Sequence, residues 1–522
     1  MMFEETILAW ILFFPAAAAL VVLLIPKARL QWIRWTALIA SLIPFAMTVF
    51  AWLRFDPAVN PSAPFQFELN YVWYEAIHST FHLGVDGISL AMVLLTTLLT
   101  PLAILASFNI QERVKAFMVL FLLLETGMLG VFMALDLLLF FVFWEIGLVP
   151  MYFLIALWGG KNRNYASLKF MLYTIGGSLG LLLATQLIGV TTGTFDLVTL
   201  FRIWPTITEL NVPLGLSVPT VKAIAFWAFV VAFAIKVPVW PFHTWLPDAH
   251  TEAPTGGSMI LAGVLLKLGA YGFIRLVLPL YPLEAQRFAG WLAALATAAI
   301  VFGALGAWGQ KDFKRLVAYS SINHMGFVVL GIAAAAWAWK NTDPGIILSA
   351  NIALNGAVLQ MFNHGLSAAG MFFLVGVVYD RAHTRNLDDF GGLWAIVPVY
   401  GTILIFTSMA SLGLPGLNGF VSEFLVVRGA WHLQMVATAI SMIGLFFTGA
   451  YVLKAIKHVL HGPLNQTWIG KVTEINPREI LVIAPLMILM LVLGFWPAWL
   501  LGPIDQAVAF WVNAVSKVAA LW

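Results

Sequence analysis

The sequence contains no cysteine. That excludes disulfides, thiolate metal sites, c-type haem attachment and cysteine-held iron–sulfur clusters, so redox chemistry is expected on another chain. Charge is also scarce: Asp, Glu, Lys and Arg together make up 10% of the 522 residues, where ordinary soluble domains carry about 25%. With 61% hydrophobic residues, that shortage excludes a soluble globular protein. The net charge of +3 is a small excess of 27 basic over 24 acidic residues, with no block of one sign, so no nucleic-acid partner is indicated. No polar stretch is long enough for a soluble domain. A P-loop is missing too, and GGSLG at Gly176 to Gly180 sits inside an apolar run rather than after a strand, so it is no dinucleotide fingerprint.

What the chain does have is apolar runs of about 20 residues, each long enough to cross a hydrocarbon core about 30 Å thick. They are continuous, unlike the alternating strands of a membrane barrel, which leaves an all-α polytopic membrane protein. About 14 spans are expected: 6–25, 32–53, 84–108, 114–134, 137–157, 167–190, 222–242, 257–279, 290–309, 316–338, 349–378, 393–430 (broken), 433–456 and 479–502. The first follows Glu4 and Glu5 and lacks a basic flank or cleavage site, so it reads as a retained helix. The connections 54–83 and 191–221 mix apolar residues with Pro, Asn and Thr and are expected as loops with short interfacial pieces.

Most Lys and Arg fall in odd-numbered connections, from Lys27, Arg29 and Arg34 to Lys471 and Arg478. The positive-inside bias supports the even span count and puts both termini on the non-cytoplasmic side. Spans 4–8 and 9–13 overlay as two five-helix blocks, and an odd block length inverts topology. The chain then divides into N-terminal helices (1–113), a first inverted repeat (114–279), a second (290–460), and helix 14 with a C-terminal tail (461–522). In the overlay span 7 meets span 12. Both are interrupted, span 7 by Pro238 and Pro241 just after Lys236, span 12 by Gly413, Pro415, Gly416 and Gly419 just before Glu423. Two broken helices at matching places point to a polar path near the midplane.

Ionisable residues within spans are expensive and ask for a partner or a purpose. They are Glu125, Glu145, Lys236, Lys267, His324, His364 and Glu423. Glu145 and Lys236 are read either as one buried ion pair locking spans 5 and 7 or as a pair exchanging a proton in a wet cavity. Lys267 lacks an obvious mate and is placed to hand a proton to His324. His364, beside Asn363 and Ser367, reads equally as interhelical hydrogen-bonding glue. Glu125 is a candidate to pair with a lysine, and Glu423 shows no partner of opposite charge nearby in sequence. The segment from Val237 to Ser258 holds four prolines, which disfavours a metal site built on His243, Asp248, His250 and Glu252.

The segments DLLLFFVFWEIGLVPMYFLI (136–155), FAIKVPVWPFHTWLPDAHTEAP (233–254), LAGVLLKLGAYG (261–272), KRLVAYSSINHMGF (314–327) and LGLPGLNGFVSEF (412–424) together resemble the antiporter-like proton-pumping subunits of respiratory complex I. Glu423 stands where most branches of the family carry lysine, and the chain stops at Trp522 without a long lateral helix. Both features resemble the M-type branch, which is chain 4 in mitochondria and has an orthologue in the photosynthetic complex of plastids and cyanobacteria. The resemblance implies 14 helices with inverted repeats. It implies Glu145 and Lys236 as a proton-handling pair, Lys267 as a bridging lysine and Glu423 as terminal carrier. His324 and His364 fall on the polar axis, and Glu125 is a second, less essential carboxylate. It further implies L- and N-type neighbours, no cofactor on this chain, and flavin, iron–sulfur clusters and quinone on partner subunits of a proton-pumping NAD(P)H or ferredoxin:quinone oxidoreductase in a bacterial plasma membrane. An Mrp-type cation/proton antiporter, a membrane-bound hydrogenase subunit and a structural spacer are the competing classes.

Overall fold

The computed structural model describes residues 2–58, 60, 63–209, 215–341 and 343–520; Trp522 and parts of the connections 54–83 and 191–221 lie outside the described residues. Among the described residues, 13 helices are long and apolar enough to cross a membrane, and they fall on every expected span except the twelfth. That one is two shorter helices, Pro398–Leu412 and Asn418–Leu433, joined by a turn in which Gly413 and Gly416 take positive φ. Left-handed backbone is open to glycine at no steric cost, which is why the break falls there.

Spans 3 (Gly87–Asn109), 8 (Thr255–Leu280), 10 (Phe313–Ala338) and 11 (Pro344–Ala382) are buried nearly all round. Spans 1 (Glu4–Leu24), 2 (Leu30–Arg54), 6 (Arg163–Thr192), 13 (Met435–Leu460) and 14 (Pro477–Phe495) expose most of their surface. Many of their exposed residues are apolar, among them Leu24, Leu183 and Phe446, as a lipid-facing rim requires. Spans 8, 10 and 11, which carry Lys267, His324 and His364, thus occupy the centre of the bundle.

The two blocks carry the same backbone staple at opposite ends. Before span 5 (Leu137–Trp158), Leu137 N–H donates to Phe195 O and Leu197 N–H to Leu135 O, both at 2.8 Å. Before span 10, Phe313 N–H donates to Arg385 O at 2.8 Å and Leu387 N–H to Lys311 O at 2.7 Å. In both places an aspartate caps the helix that follows: Asp136 accepts from Leu138 and Leu139, Asp312 from Arg315. The first staple joins the connection after span 4 (Val114–Met133) to the one after span 6, and the second joins those after spans 9 (Pro282–Trp308) and 11. An offset of five spans places them on opposite faces, the signature of an inverted repeat.

Two segments differ from the sequence reading. The connection 54–83 contains an antiparallel hairpin, β1 (Gln66–Tyr74) and β2 (Ser79–Val85), pairing Leu69 with Leu83 and Asn70 with His82. Its alternating Phe65, Phe67, Leu69, Tyr71 and Trp73 is a strand pattern that was overshadowed by the surrounding helical runs. The segment treated as a tail forms a helix, Ala498–Ala520. Gly502, Pro503, Asp505 and Gln506 interrupt its apolar run, so it reads as amphipathic rather than spanning. It packs on spans 3 and 11. A Cβ on Gly87 would lie 2.0 Å from Pro503 O, so only glycine admits that approach.

His82 latches the hairpin to the bundle. Its Nδ1 bonds Asp196 at 2.7 Å and its Nε2 bonds Glu68 at 3.0 Å. Burial opposes the charged ring, but the bonds to the two carboxylates and their charge outweigh it and raise the pKa from 6.5 to about 9. A raised histidine pKa contributes stability that is complete below about 6.5 and is lost as pH rises through about 9. Chymotryptic cleavage at the exposed Tyr71 and Tyr74 is therefore expected to stay slow at neutral pH and to accelerate through about pH 9. In His82→Phe it should be fast throughout, and a pH-independent rate in the unmodified protein would refute the latch.

Candidate functional site

Both broken helices expose carbonyls that need new partners, and the structure supplies them locally. The first half of span 7 (Val218–Lys236) ends at Lys236, and the chain turns before resuming as Trp245–Glu252. Pro238 and Pro241 donate nothing there. Ala234 O accepts instead from Val239 N–H at 2.7 Å, and Ile235 O from the Trp245 indole at 2.8 Å. The break in span 12 is tied to span 11 by two side-chain amides: Asn363 Nδ2 donates to Asn418 O at 2.7 Å, and Asn418 Nδ2 to Asn363 O at 3.0 Å.

Lys236 is buried, and its ammonium lies over the Trp144 ring, 4.9 Å from the centroid. That contact offsets part of its desolvation. No ion pair joins it to Glu145 among the described residues, so the expected pair is open here. Glu145 stands half-buried just before a kink at Gly147 in span 5, with one carboxylate oxygen unpartnered. Glu125 is fully buried, and both its oxygens lack a hydrogen bond; the expected lysine partner is not there. Spans 4 and 5 cross where a Cβ on Gly127 would lie 2.7 Å from Gly147 N. Glu125 and Glu145 each sit two residues from that crossing.

Lys267 occupies a short α-helical stretch of span 8 between two π-helical turns, Leu261–Leu265 and Phe273–Val277. The wider turn frees a carbonyl, and Lys267 Nζ takes it by donating to Ala262 O. Its second bond, at 2.7 Å, goes to His364 Nδ1. The mate of Lys267 is thus His364, not His324. The bond joins spans 8 and 11 and so agrees with His364 as an interhelical hydrogen-bonder; it forms because the two spans approach at Gly263 and Gly365. A Cβ on Gly365 would lie 2.9 Å from Gly263 O, and that proximity brings the two side chains together.

From His364 the polar chain continues. Its ring centroid lies 5.7 Å from that of His324. His324 Nδ1 bonds Glu423 Oε1 at 2.6 Å, and its Nε2 bonds the Tyr451 hydroxyl at 3.2 Å. Gln360 Nε2 donates to the same glutamate oxygen at 2.9 Å, while Gln360 Oε1 accepts from Ser422 at 2.5 Å. Glu423, without a neighbour of opposite charge in sequence, therefore has a partner in space. Its Oε2 has no hydrogen bond and lies 3.5 Å from where a Cβ on Gly413 would stand, facing the break.

Several groups on this axis were not singled out from sequence. Gln360, Ser422 and Tyr451 belong to segments with no charge to flag them. Lys314 is buried and donates to Ala253 O at 2.5 Å. It lines a cavity of about 260 Å³ together with Glu252, Asp380 and Arg385. His250 stacks on Phe372 with ring centroids 4.3 Å apart, both nitrogens buried without partners. The suggested metal ligands go separate ways: Asp248 pairs with Lys169 at 2.7 Å and Arg315 at 3.3 Å, and Glu252 accepts from Asn162 N–H at 3.0 Å. Among the described residues, no cluster of three or more His, Asp or Glu fits a metal ion.

Comparison with known proteins bears on this arrangement. Residues 134–448 match the family described as NADH:quinone oxidoreductase/Mrp antiporter, TM. The chain is 40% identical to the NADH-quinone oxidoreductase subunit M of Rhodobacter capsulatus, over 98% of this chain and 97% of that protein. It is also 40% identical to an NAD(P)H-quinone oxidoreductase chain 4 of a Picosynechococcus species, over 97% of this chain and 91% of that one. A chain of respiratory complex I from Thermus thermophilus with bound NADH superposes with a TM-score of 0.82 at 26% identity, covering 97% of this chain and 99% of that one. Family match, near full-length relatives and a shared fold agree with the resemblance drawn from the five segments, and the chain belongs to the antiporter-like membrane subunits of complex I, in the subunit M or chain 4 branch.

Proposed function

We propose that this chain is a proton-translocating subunit in the membrane arm of a quinone-reducing complex, and that protons cross it along the buried Lys, His and Glu axis. The observation that carries the proposal is the chain from Lys267 through His364 and His324 to Glu423, with direct bonds of 2.7 Å at one end and 2.6 Å at the other. An ammonium N–H held on imidazole Nδ1 is positioned to give up its proton, and the ring passes one on from Nε2, which has no other partner. The step between the two rings, whose centroids lie 5.7 Å apart, is proposed to run through a bridging water. His324 then gives from Nδ1 to Glu423, whose free oxygen faces the broken span.

Lys236 and Glu145 act upstream. Closing the open pair draws positive charge away from span 8, and opening it restores that charge, so the proton affinity of Lys267 follows the state of its neighbour. Residues 114–279 and 290–460 serve as the two half-units, one receiving protons and the other releasing them. Moving one charge against 100 mV requires about 2.3 kcal/mol, so energy comes from quinone reduction on partner subunits, with L- and N-type chains as neighbours. Flavin, iron–sulfur clusters and quinone belong to those partners. The Lys- and Arg-rich connections face the cytoplasm of a bacterial plasma membrane, with both termini outside.

The test is proton pumping by the intact complex in proteoliposomes. Lys236→Ala and Lys267→Ala are each expected to lower pumping about tenfold, as a barrier raised by about 1.4 kcal/mol would, with assembly retained. Unchanged pumping in both would sink the proposal; sodium-dependent transport without quinone reductase activity would favour an Mrp-type antiporter. Gln360→Leu removes a donor to Glu423 worth about 1.5–3 kcal/mol for a charged acceptor. It should reduce pumping in the same assay while leaving the His324 contact in place.

A further inference from the structure

Span 8 carries a second polar line that the proposed path does not use. Lys267, Tyr271 and Arg275 recur every four residues, so they share a face of the helix running from the axis toward the hairpin end of the bundle. Tyr271 OH bonds Ser89 Oγ at 2.8 Å and lies 3.1 Å from Phe132 O. Arg275 Nε donates to Tyr271 OH at 3.0 Å, and its Nη2 donates to Asp86 Oδ1 at 2.6 Å and to Ser89 Oγ at 3.1 Å. Two hydroxyls followed by a carboxylate at the start of span 3 have the composition of a proton wire, and this one would be the short way out.

Its last members cannot conduct. Asp86 Oδ1 also accepts from Ile88 N–H at 3.1 Å and Ser89 N–H at 2.9 Å, and Oδ2 accepts from the Trp511 indole at 2.9 Å. A carboxylate so engaged has little capacity left to take up a proton. A guanidinium does not release one. The rings of Phe65, Tyr271 and Trp511 stand 5.1, 5.4 and 5.2 Å from the guanidinium carbon. Side-chain exposure is 1% for Arg275 and 3% for Asp86. A fixed positive charge on the same helix face also repels a proton leaving Lys267 in that direction, the device by which pore arginines exclude cations.

We propose that the Arg275–Asp86 pair, roofed by Trp511 of the C-terminal helix, is a plug that closes the outlet along span 8, so that protons reaching Lys267 turn to His364 and leave through the second half of the chain. This rests on the reading of the chain as a proton translocator. Arg275 blocks the way and relays no proton itself.

The experiment measures passive proton permeability of proteoliposomes holding the intact complex, with no electron donor present, and quinone reduction separately. Arg275→Gln is expected to raise the leak about tenfold while quinone reduction persists, and adding Tyr271→Phe to that variant is expected to bring the leak back down, a rescue that a merely structural contact would not give. Arg275→Lys keeps the charge and the Asp86 contact with a group that can deprotonate, so its leak should exceed that of the unmodified complex at alkaline pH. Assembled variants as tight as the unmodified complex, or a leak that Tyr271→Phe does not reduce, would overturn the plug. Loss of assembly in both Arg275 variants would assign the pair to the fold alone and overturn it equally. Because the leak is read without turnover, this result is separate from the outcome for Lys236 and Lys267.

Discussion

The arrangement depends on one constraint: a backbone or side-chain polar group sealed inside a bundle of apolar helices must find its hydrogen bonds within the protein. Three departures from regular helix in the centre of this molecule can be followed from it. The carbonyls of Ala234 and Ile235, freed where Pro238 ends the helix, are taken by Val239 N–H and the Trp245 indole. The carbonyl of Ala262, in a π turn, is taken by Lys267. The turn at Gly413 is held by the reciprocal amides of Asn363 and Asn418. The repairs at Ala262 and at the span 12 break are made by polar side chains of the axis helices, so irregularities and ionisable groups stand close together there.

The two blocks meet this constraint unequally. In the second block His324, Glu423, Gln360, Ser422 and Tyr451 form a connected network. In the first, Glu125 has no hydrogen bond, Glu145 has an oxygen without one, and Lys236 rests on an aromatic face. Buried groups left short of partners are costly, and a network can relieve that cost by moving a proton or closing a pair. The second block keeps open positions as well, at His364 Nε2 and Glu423 Oε2, so groups short of a partner stand in both halves.

Outside the axis, several ion pairs and caps hold the frame. Arg381 makes a bidentate pair with Glu479 at the start of span 14. Glu474 accepts from the N–H groups of Val399 and Tyr400 where the first half of span 12 begins. His82, Asp136 and Asp196 bind the hairpin to the connections around spans 4–6. These contacts fix helix ends, and the ends fix the depth at which Lys236, Lys267 and Glu423 stand.

Much of this was legible in the residues themselves, for a physical reason. Hydrocarbon tolerates neither charge nor open backbone, so apolar length alone marks the spans, and proline, glycine and single charges within them mark the breaks and the axis. The seven ionisable residues chosen from sequence are all within spans, and the broken spans 7 and 12 are where Pro238 and Gly413 put them. Pairing was not legible. Lys267 and His364 are 97 residues apart, and His324 and Glu423 are 99 apart; their meeting is set by helix crossings such as that of Gly263 and Gly365, which no local pattern records. Neutral members of the network, Gln360, Ser422 and Tyr451, carry no signal in an apolar run. The sequence by itself determined which groups must be buried and where helices must break, because those follow from local chemistry and length; only the tertiary structure decided which buried group meets which, because that depends on how helices distant in the chain cross.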